Sequence, residues 1–149
     1  MRISFDLDGV ISDGKAHEFF VEMENTLPAD QWPAAKQSFY RSCKLRCSPY
    51  ALMNDGDSAF IITSRQPDSH QLTRDWLRNL KITLPVFFAD PLGLINWSNY
   101  TEASADAALR KASIIQHLQV DLHYDNNPHI VMTLRKLLPG LKCTLVEDK

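Results

Sequence analysis

The 149-residue sequence lacks any uncharged apolar run that approaches the length of a membrane-spanning segment. It also lacks internal repeats, and its 16 basic and 18 acidic side chains leave a formal net charge of only −2. A net charge this small creates no overall positive potential that would favour tight non-specific binding to nucleic acid, although it is compatible with a local basic groove. With 44% hydrophobic and 23% charged residues, we expect one soluble globular domain over residues 1–149 that contacts no membrane.

Cysteine is also scarce, with three residues at Cys43, Cys47 and Cys143. The first two would share one face of a helix, but a structural zinc site needs about four ligands and the sequence offers one further sulfur. A zinc–thiolate site is therefore disfavoured. Few cysteines fit a reducing compartment, and Met1 lies directly before the first predicted strand, which leaves no room for a signal peptide. We expect the protein in the cytoplasm.

Short apolar segments alternate along the chain with segments of helical periodicity. Segments typical of buried strands lie at 3–7, 59–63, 84–89, 120–124 and 141–146. Helices are predicted at 16–27, 30–43, 48–53, 68–80, 106–118 and 128–138, the first two as a hairpin. The stretch 91–104 has no period and is predicted to be a long loop that faces substrate or covers the surface. Strands separated by long helices pair in parallel, so we expect a three-layer, Rossmann-like α/β fold with about five parallel strands.

The first strand segment ends in two acids, Asp6 and Asp8, followed by Gly9. Because these acids emerge at the carboxyl end of the strand, they lie at the edge where open α/β sheets bind ligands. An Asp-x-Asp pair suits phosphoryl transfer, in which one carboxylate attacks phosphorus and the other exchanges a proton with the leaving oxygen. The same short pattern also occurs in calcium-binding loops and in ordinary turns, so the rest of the chain has to decide between these alternatives.

Three further polar residues fit the phosphoryl-transfer interpretation. Thr63 ends the second predicted strand and Asp125 directly follows the fourth, so a parallel sheet brings them to the same edge as Asp6. Thr63 offers a hydroxyl to a phosphate, and Lys111, at or just inside the start of its predicted helix, offers a fixed positive charge. Arg110 is the alternative cation, but the apolar part of the helix follows directly after Lys111.

The order of these residues resembles the four motifs of the haloacid dehalogenase (HAD) superfamily, over nearly the whole chain. The resemblance implies a phosphatase, that is, a phosphoric monoester hydrolase, with catalytic Asp6, Asp8, Thr63 and Lys111. In this family pattern Asp6 is the nucleophile that forms an aspartyl-phosphate, and Asp8 is the general acid and base. Thr63 and Lys111 would hold the charge of the phosphoryl group.

The resemblance also implies Mg²⁺ as the cofactor. Its protein ligands would be the carboxylates of Asp6 and Asp125 and the backbone carbonyl of Asp8, hard oxygens of the kind that magnesium prefers. Asn126 departs from the family pattern, because many members carry a second acid beside or shortly after the aspartate that corresponds to Asp125. An amide binds magnesium weakly or holds one of its waters, so we include Asn126 among the predicted ligands.

A closer resemblance is to the phosphatase domains of phage-type polynucleotide kinases, through residues 50–53, 61–65 and 72–76. It implies a nucleotide or nucleic-acid phosphate end as the substrate and implies no protein partner. Ser64 and Arg65, where the chain leaves the second strand, are the predicted substrate-binding residues. The resemblance implies that Arg65 contacts the substrate phosphate or the nucleic-acid backbone; a solvent-facing loop arginine is the alternative.

Between the first two motifs lies a small helical insertion, a minimal cap over residues 14–47. It is too short for a large closing cap, so a rather open site that admits a polymer end is expected. One alternative is a small-molecule phosphatase in which the hairpin covers the site with four aromatic side chains, Phe19, Phe20, Trp32 and Phe39. Another is a binding or regulatory module that kept the fold and lost turnover, which Asn126 suggests.

Overall fold

The computed structural model describes residues 1–147, which form a parallel sheet covered by helices on both faces. In this part of the chain the strands are β1 (Arg2–Phe5), β2 (Ser58–Thr63), β3 (Val86–Phe88), β4 (Leu122–Asp125) and β5 (Lys142–Leu145), in the order β3-β2-β1-β4-β5. The helices are α1 (Ala16–Thr26), α2 (Trp32–Ser42), α3 (His70–Asn79), α4 (Tyr100–Leu118) and α5 (Pro128–Leu137). None of these helices is long and apolar enough to cross a bilayer. The predicted three-layer α/β fold with about five parallel strands is confirmed.

Two apolar clusters hold the helices against the two faces of the sheet. Consecutive strand residues point to opposite faces, and Ile61 and Ile62 of β2, both fully buried, enter different clusters. Ile62 belongs to the cluster that contains Ala108 of α4 and Leu134 of α5. Ile61 belongs to the cluster that contains Leu77 of α3. Since both faces are covered, the carboxyl edge of the sheet is where a site can open to solvent.

Helices α1 and α2 form the predicted hairpin, called here the helical hairpin. The rings of Phe19 and Phe39 stack across it with their centroids 4.3 Å apart and an interplanar angle of 7°. The indole Nε1 of Trp32 donates a hydrogen bond to the backbone carbonyl of Leu27 at 3.0 Å. An aromatic pair and a part-buried donor with its partner therefore fix the angle between the two helices.

The chain that follows the helical hairpin is tied to the core by α3. The Nε1 of Trp76 donates to the backbone carbonyl of Cys43 at 2.9 Å. Further along, the helix predicted at 48–53 is a single 3₁₀ turn, Pro49–Leu52, because turn-forming residues follow it directly. This connection brings the chain from the hairpin back to the start of β2.

Helix α4 begins earlier than the sequence predicts. Its first residue is Tyr100, because the side chain of Asn99 accepts a hydrogen bond from the backbone N–H of Glu102 at 3.1 Å and caps the helix. The buried side chains in the first part of α4 are small, such as Ala103 and Ala107, so the sequence shows no stripe of large apolar residues there. Lys111 consequently lies near the middle of α4, and its predicted position at the helix start is wrong.

The turn after β1 packs directly against the turn after β4. Gly9 has a φ of +79°, and a Cβ at this position would lie 2.0 Å from Nδ2 of Asn126. Glycine alone tolerates this backbone conformation without strain and also leaves space for the amide. The two chain segments that follow β1 and β4 are thus held in contact at the carboxyl edge.

Replacing Gly9 by alanine should therefore destabilise the protein more than the same change at Gly56. Gly56 has a similar φ of +87°, but a Cβ added there would meet no atom of residues 1–147 within 4 Å. We expect Gly56→Ala to cost about 1 kcal/mol from backbone strain and Gly9→Ala to cost a further ~1–3 kcal/mol from overpacking against Asn126. Urea unfolding of both variants measures the difference; equal losses would mean that the Asn126 side chain moves away freely.

Candidate active site

Three charged side chains meet at the carboxyl edge of the sheet. The Nζ of Lys111 donates to Oδ1 of Asp6 at 3.1 Å and to Oδ2 of Asp125 at 2.8 Å. The lysine side chain is 1% exposed and that of Asp125 is fully buried, whereas that of Asp6 is 12% exposed. Asp6 is therefore the member of the group that a molecule arriving from solvent can reach.

Burial and mutual charge shift the pKa values of all three groups. Burial, followed by the charge of Asp125, raises the pKa of Asp6 from 3.8 to about 8. Burial acts in the same direction on Asp125, but the charge of Lys111 and a hydrogen bond from His123 outweigh it and lower the pKa of that carboxyl. For Lys111, burial works against the charged form, but the two carboxylates raise its pKa. The charge of Lys111 thus keeps Asp125 ionised, but it only partly offsets the effect of burial on the pKa of Asp6.

His123 supports Asp125 from within the sheet, a role that sequence reasoning missed. Its Nε2 lies 3.0 Å from Oδ2 of Asp125, and its Nδ1 lies 2.7 Å from the hydroxyl of Ser4 on β1. Burial lowers the pKa of the imidazole, so the neutral ring donates to the carboxylate and accepts from the serine. The alternation of residues along β4, with His123 and Asp125 on the same face, is the sequence signal that points to this pair.

Asp8 is held by an arginine from the turn after β2. Arg65 donates from Nε to one carboxylate oxygen of Asp8 at 3.0 Å and from Nη2 to the other at 2.7 Å. Its Nη1 donates to the hydroxyl of Thr73 at 3.0 Å, and its guanidinium carbon lies 3.8 Å from the ring centroid of Tyr40 in α2. The arginine side chain is 1% exposed. The alternative from the sequence analysis, a solvent-facing loop arginine, is therefore wrong.

Thr63 and Ser64 lie at the end of β2, beside the acids. The Oγ1 of Thr63 accepts a hydrogen bond from the backbone N–H of Arg65 at 3.2 Å, so its own proton remains available to donate. The Oγ of Ser64 is buried and has no hydrogen-bond partner among residues 1–147. A buried hydroxyl without a partner is uncommon in proteins and is consistent with a group that meets a ligand.

Asn126 and Asn127 follow Asp125 and have different surroundings. Asn126 packs on Gly9, whereas Asn127 caps α5 by accepting from the N–H groups of His129 and Ile130. Asn126 therefore lies next to the turn that carries Asp8, on the same edge as the acids. Within residues 1–147, no group of three or more His, Cys, Asp and Glu side chains has the arrangement of a metal site.

These residues form the polar end of a cavity of about 420 Å³. Seven of the predicted site residues line it: Asp6, Asp8, Thr63, Ser64, Arg65, Lys111 and Asn126. Asp125 lies directly behind them and is hydrogen-bonded to two residues that line the cavity, Lys111 and Asn127. The remaining walls come from the helical hairpin and from the segment that leads into α4, with aromatic residues such as Trp32, Trp97 and Tyr100. For the aromatic residues of the second wall, the only signal in the sequence is their presence in a long predicted loop.

No protein-family model matches the sequence, and no curated protein matches it. A chain in the structure of the Pnkp1/Rnl/Hen1 RNA repair complex matches 98% of this chain with a TM-score of 0.63 and 16% identity. A HAD family hydrolase from Salmonella enterica subsp. enterica serovar Typhi matches 90% with a TM-score of 0.50 and 11% identity. The chain has the fold of the HAD hydrolases.

The match extends over only part of each of these structures. This chain covers 42% of the RNA repair chain and 59% of the HAD hydrolase chain, or about half their lengths. At such low identities the likeness concerns the HAD fold and does not extend to substrate or partner. The resemblance expected from the sequence is confirmed at this level.

The shifted pKa of Asp6 predicts how stability depends on pH in protein free of divalent cations. The unfolded carboxyl ionises near its ordinary value of 3.8 and the folded one only near 8, so between these values the contribution of Asp6 to stability falls as pH rises, whereas the lowered pKa of His123 acts in the opposite direction in both proteins. The loss is at most about 1.4 kcal/mol per pH unit. Asp6→Asn should remove it, because asparagine does not titrate. Urea unfolding of both proteins at about pH 5 and about pH 7 measures the two slopes, and identical slopes would exclude a raised pKa for Asp6.

Proposed function

We propose that the protein is a magnesium-dependent phosphatase that hydrolyses a phosphomonoester through an aspartyl-phosphate on Asp6. The observation that carries the proposal is the meeting of an accessible carboxylate, a buried lysine and two hydroxyls at one end of a cavity. The lysine is Lys111 and the hydroxyls belong to Thr63 and Ser64. A phosphoryl group at this end would face one nucleophile and three donors, which is what phosphoryl transfer requires.

The reaction has two steps. In the first, an oxygen of ionised Asp6 attacks phosphorus, the bond from phosphorus to the leaving oxygen breaks, and Asp8 gives that oxygen its proton. In the second, Asp8 takes a proton from a water molecule as the water oxygen attacks phosphorus, and the bond to Asp6 breaks to release inorganic phosphate. Lys111 and the hydroxyls of Thr63 and Ser64 stabilise the charge on the phosphoryl oxygens in both steps.

Mg²⁺ fits the donors and the charge at this edge of the sheet. Asp6 and Asp125 are two carboxylates with one lysine between them, and the pKa of Asp6 is raised by burial and then by the charge of Asp125. A second cation would balance the second negative charge. We assign its ligands to the carboxylates of Asp6 and Asp125, the backbone carbonyl of Asp8 and the amide oxygen of Asn126. When bound, the ion would favour ionised Asp6 and offset the charge of the phosphate.

The contacts of Arg65 support a positioning role in addition to the direct substrate contact that the family resemblance implies. Both oxygens of Asp8 accept from its guanidinium, which holds the carboxylate form, the general base of the second step, in one orientation beside the cavity. Tyr40 covers the face of the guanidinium from the helical hairpin, so the orientation of Asp8 is linked to the position of that hairpin. Arg65 would then act on the reaction through Asp8.

For the substrate we propose a nucleotide or a nucleic-acid phosphate end. Support comes from the motifs that resemble polynucleotide kinase phosphatases and from the likeness of the fold to a chain of an RNA repair complex. A small-molecule phosphatase is the second candidate, and a specific observation favours it. The hairpin residues Phe20, Trp32 and Lys36 line the cavity, so the small insertion covers more of the site than its length suggests.

A phosphate-release assay tests the proposal and separates the two substrate classes. The purified chain should be supplied with Mg²⁺ and with nucleotides, 3′- or 5′-phosphorylated oligonucleotides and sugar phosphates. We expect phosphate release, and we expect Asp6→Asn to lower it by at least about 10³-fold because it removes the nucleophile. Asp55→Asn, the same change at an exposed acid in the turn before β2, is the matched control and should keep wild-type turnover.

Each result of this assay has a defined meaning. Release from oligonucleotides favours the polymer-end substrate, and release from small phosphates alone favours the second candidate. Near-wild-type turnover by folded Asp6→Asn would contradict the mechanism. Absence of release from every phosphoester at saturating Mg²⁺, together with measurable ligand binding, would overturn the proposal in favour of a binding or regulatory module.

A further inference from the structure

The cavity changes in chemical character between its polar end and the rest of its surface. Away from the acids, its lining is dominated by apolar and aromatic side chains on two separate elements. The first wall belongs to the helical hairpin and includes Phe20, Met23 and Trp32. The second belongs to the segment before α4 and includes Ile95 and Trp97. A ligand anchored at the polar end would therefore extend between two apolar walls.

Three contacts hold these walls in place. The side chain of Gln66 accepts a hydrogen bond from Nζ of Lys36 on α2 at 3.3 Å and donates one to the backbone carbonyl of Ile95 at 3.1 Å. Gln66 therefore links the two walls. At the other end, the rings of His17 on α1 and Tyr100 on α4 stack with their centroids 3.8 Å apart. The helical hairpin is thus fixed over the acids at both ends, and the space between the walls is formed before a ligand arrives.

Trp32 and Trp97 are the aromatic side chains best placed to contact such a ligand. The Nε1 of Trp32 is already bonded to the carbonyl of Leu27 inside the hairpin, so the part of the indole left for the cavity is apolar. Trp97 is half-buried and lines the opposite wall. The ring of Tyr100, in contrast, is packed against His17 and His129. It supports the wall and offers less of its face to a ligand.

We propose that the space between Trp32 and Trp97 is a subsite for the flat aromatic part of a nucleoside leaving group, the base of a single nucleotide whose phosphate lies at Asp6. The inference rests on the proposed phosphatase function, because that function places the phosphate at the polar end. A base gains stacking energy against indole rings. A glycerol group has no aromatic face and gains no such stacking energy.

The volume of the cavity sets the size of this ligand. At about 420 Å³ it falls in the range of about 300–1,000 Å³ that is usual for small-molecule sites. One nucleotide fits such a space, and a stretch of several nucleotides does not. A polymer would therefore place only its terminal nucleotide between the walls, with the next phosphate outside them.

Equilibrium binding to the Asp6→Asn protein tests the subsite without turnover. Calorimetry would compare adenosine 3′- and 5′-monophosphate with glycerol phosphate, in Mg²⁺ buffer. We expect Trp32→Ala and Trp97→Ala in this background to weaken binding of the better nucleotide by about fivefold or more, and to leave glycerol phosphate unchanged. Trp32→Phe keeps an aromatic ring and should restore most of the loss. Leu92→Ala, a large apolar side chain that is 75% exposed and outside the cavity, is the control.

Failure of this inference is distinguishable from failure of the phosphatase function. If wild-type protein hydrolyses glycerol phosphate as well as nucleotides and both tryptophan variants bind nucleotides normally, the subsite is wrong and the phosphatase stands. Equal weakening for nucleotide and glycerol phosphate would also overturn it, since that result reports a damaged phosphate site. Should Trp32→Ala not fold by circular dichroism, Trp97→Ala and Trp32→Phe decide the question.

Discussion

A lysine shared by two carboxylates is the interaction on which the rest of this structure depends. Lys111 donates to Asp6 and to Asp125 at 3.1 and 2.8 Å, in a place that water barely reaches. Removing one member of such a group would leave a charge without a partner, which is strongly unfavourable. The contact requires β1 and β4 to be neighbours and α4 to cross beside their carboxyl ends. One cation therefore fixes two strands and one helix relative to each other and, of its two carboxylate partners, leaves Asp6 exposed to the cavity.

A second ion pair links this rigid edge to the helical hairpin. Asp8 belongs to the turn after β1, Arg65 to the turn after β2, and Tyr40 to α2, and the arginine contacts both of the other side chains. A displacement of the hairpin would therefore disturb the residue to which we assign proton transfer. In the proposed function, the same element that forms one wall for the leaving group also helps to orient the acid that protonates it.

The fold and the members of the candidate site could be predicted from the sequence, because both depend on local patterns. Apolar segments that end in Asp6, Thr63 and Asp125 define strand ends, and parallel strands bring their carboxyl ends together. The contacts between the site residues were not predictable in the same way. The pairing of Arg65 with Asp8 joins positions far apart in the chain, and the start of α4 at Tyr100 depends on a cap followed by small buried residues. The periodicity of apolar residues reveals stripes of large side chains, but it does not predict contacts of this kind.

During turnover Asp6 should carry a covalently bound phosphoryl group, and trapping it is the most direct test of the proposed mechanism. Protein mixed with its best substrate and Mg²⁺, then quenched in acid, should retain an acyl phosphate that borohydride reduces to homoserine. Peptide mass spectrometry should place the homoserine at position 6 and leave Asp8 unmodified. A homoserine or another trapped product at a different residue, with position 6 unmodified, would contradict the assignment of Asp6 as the nucleophile.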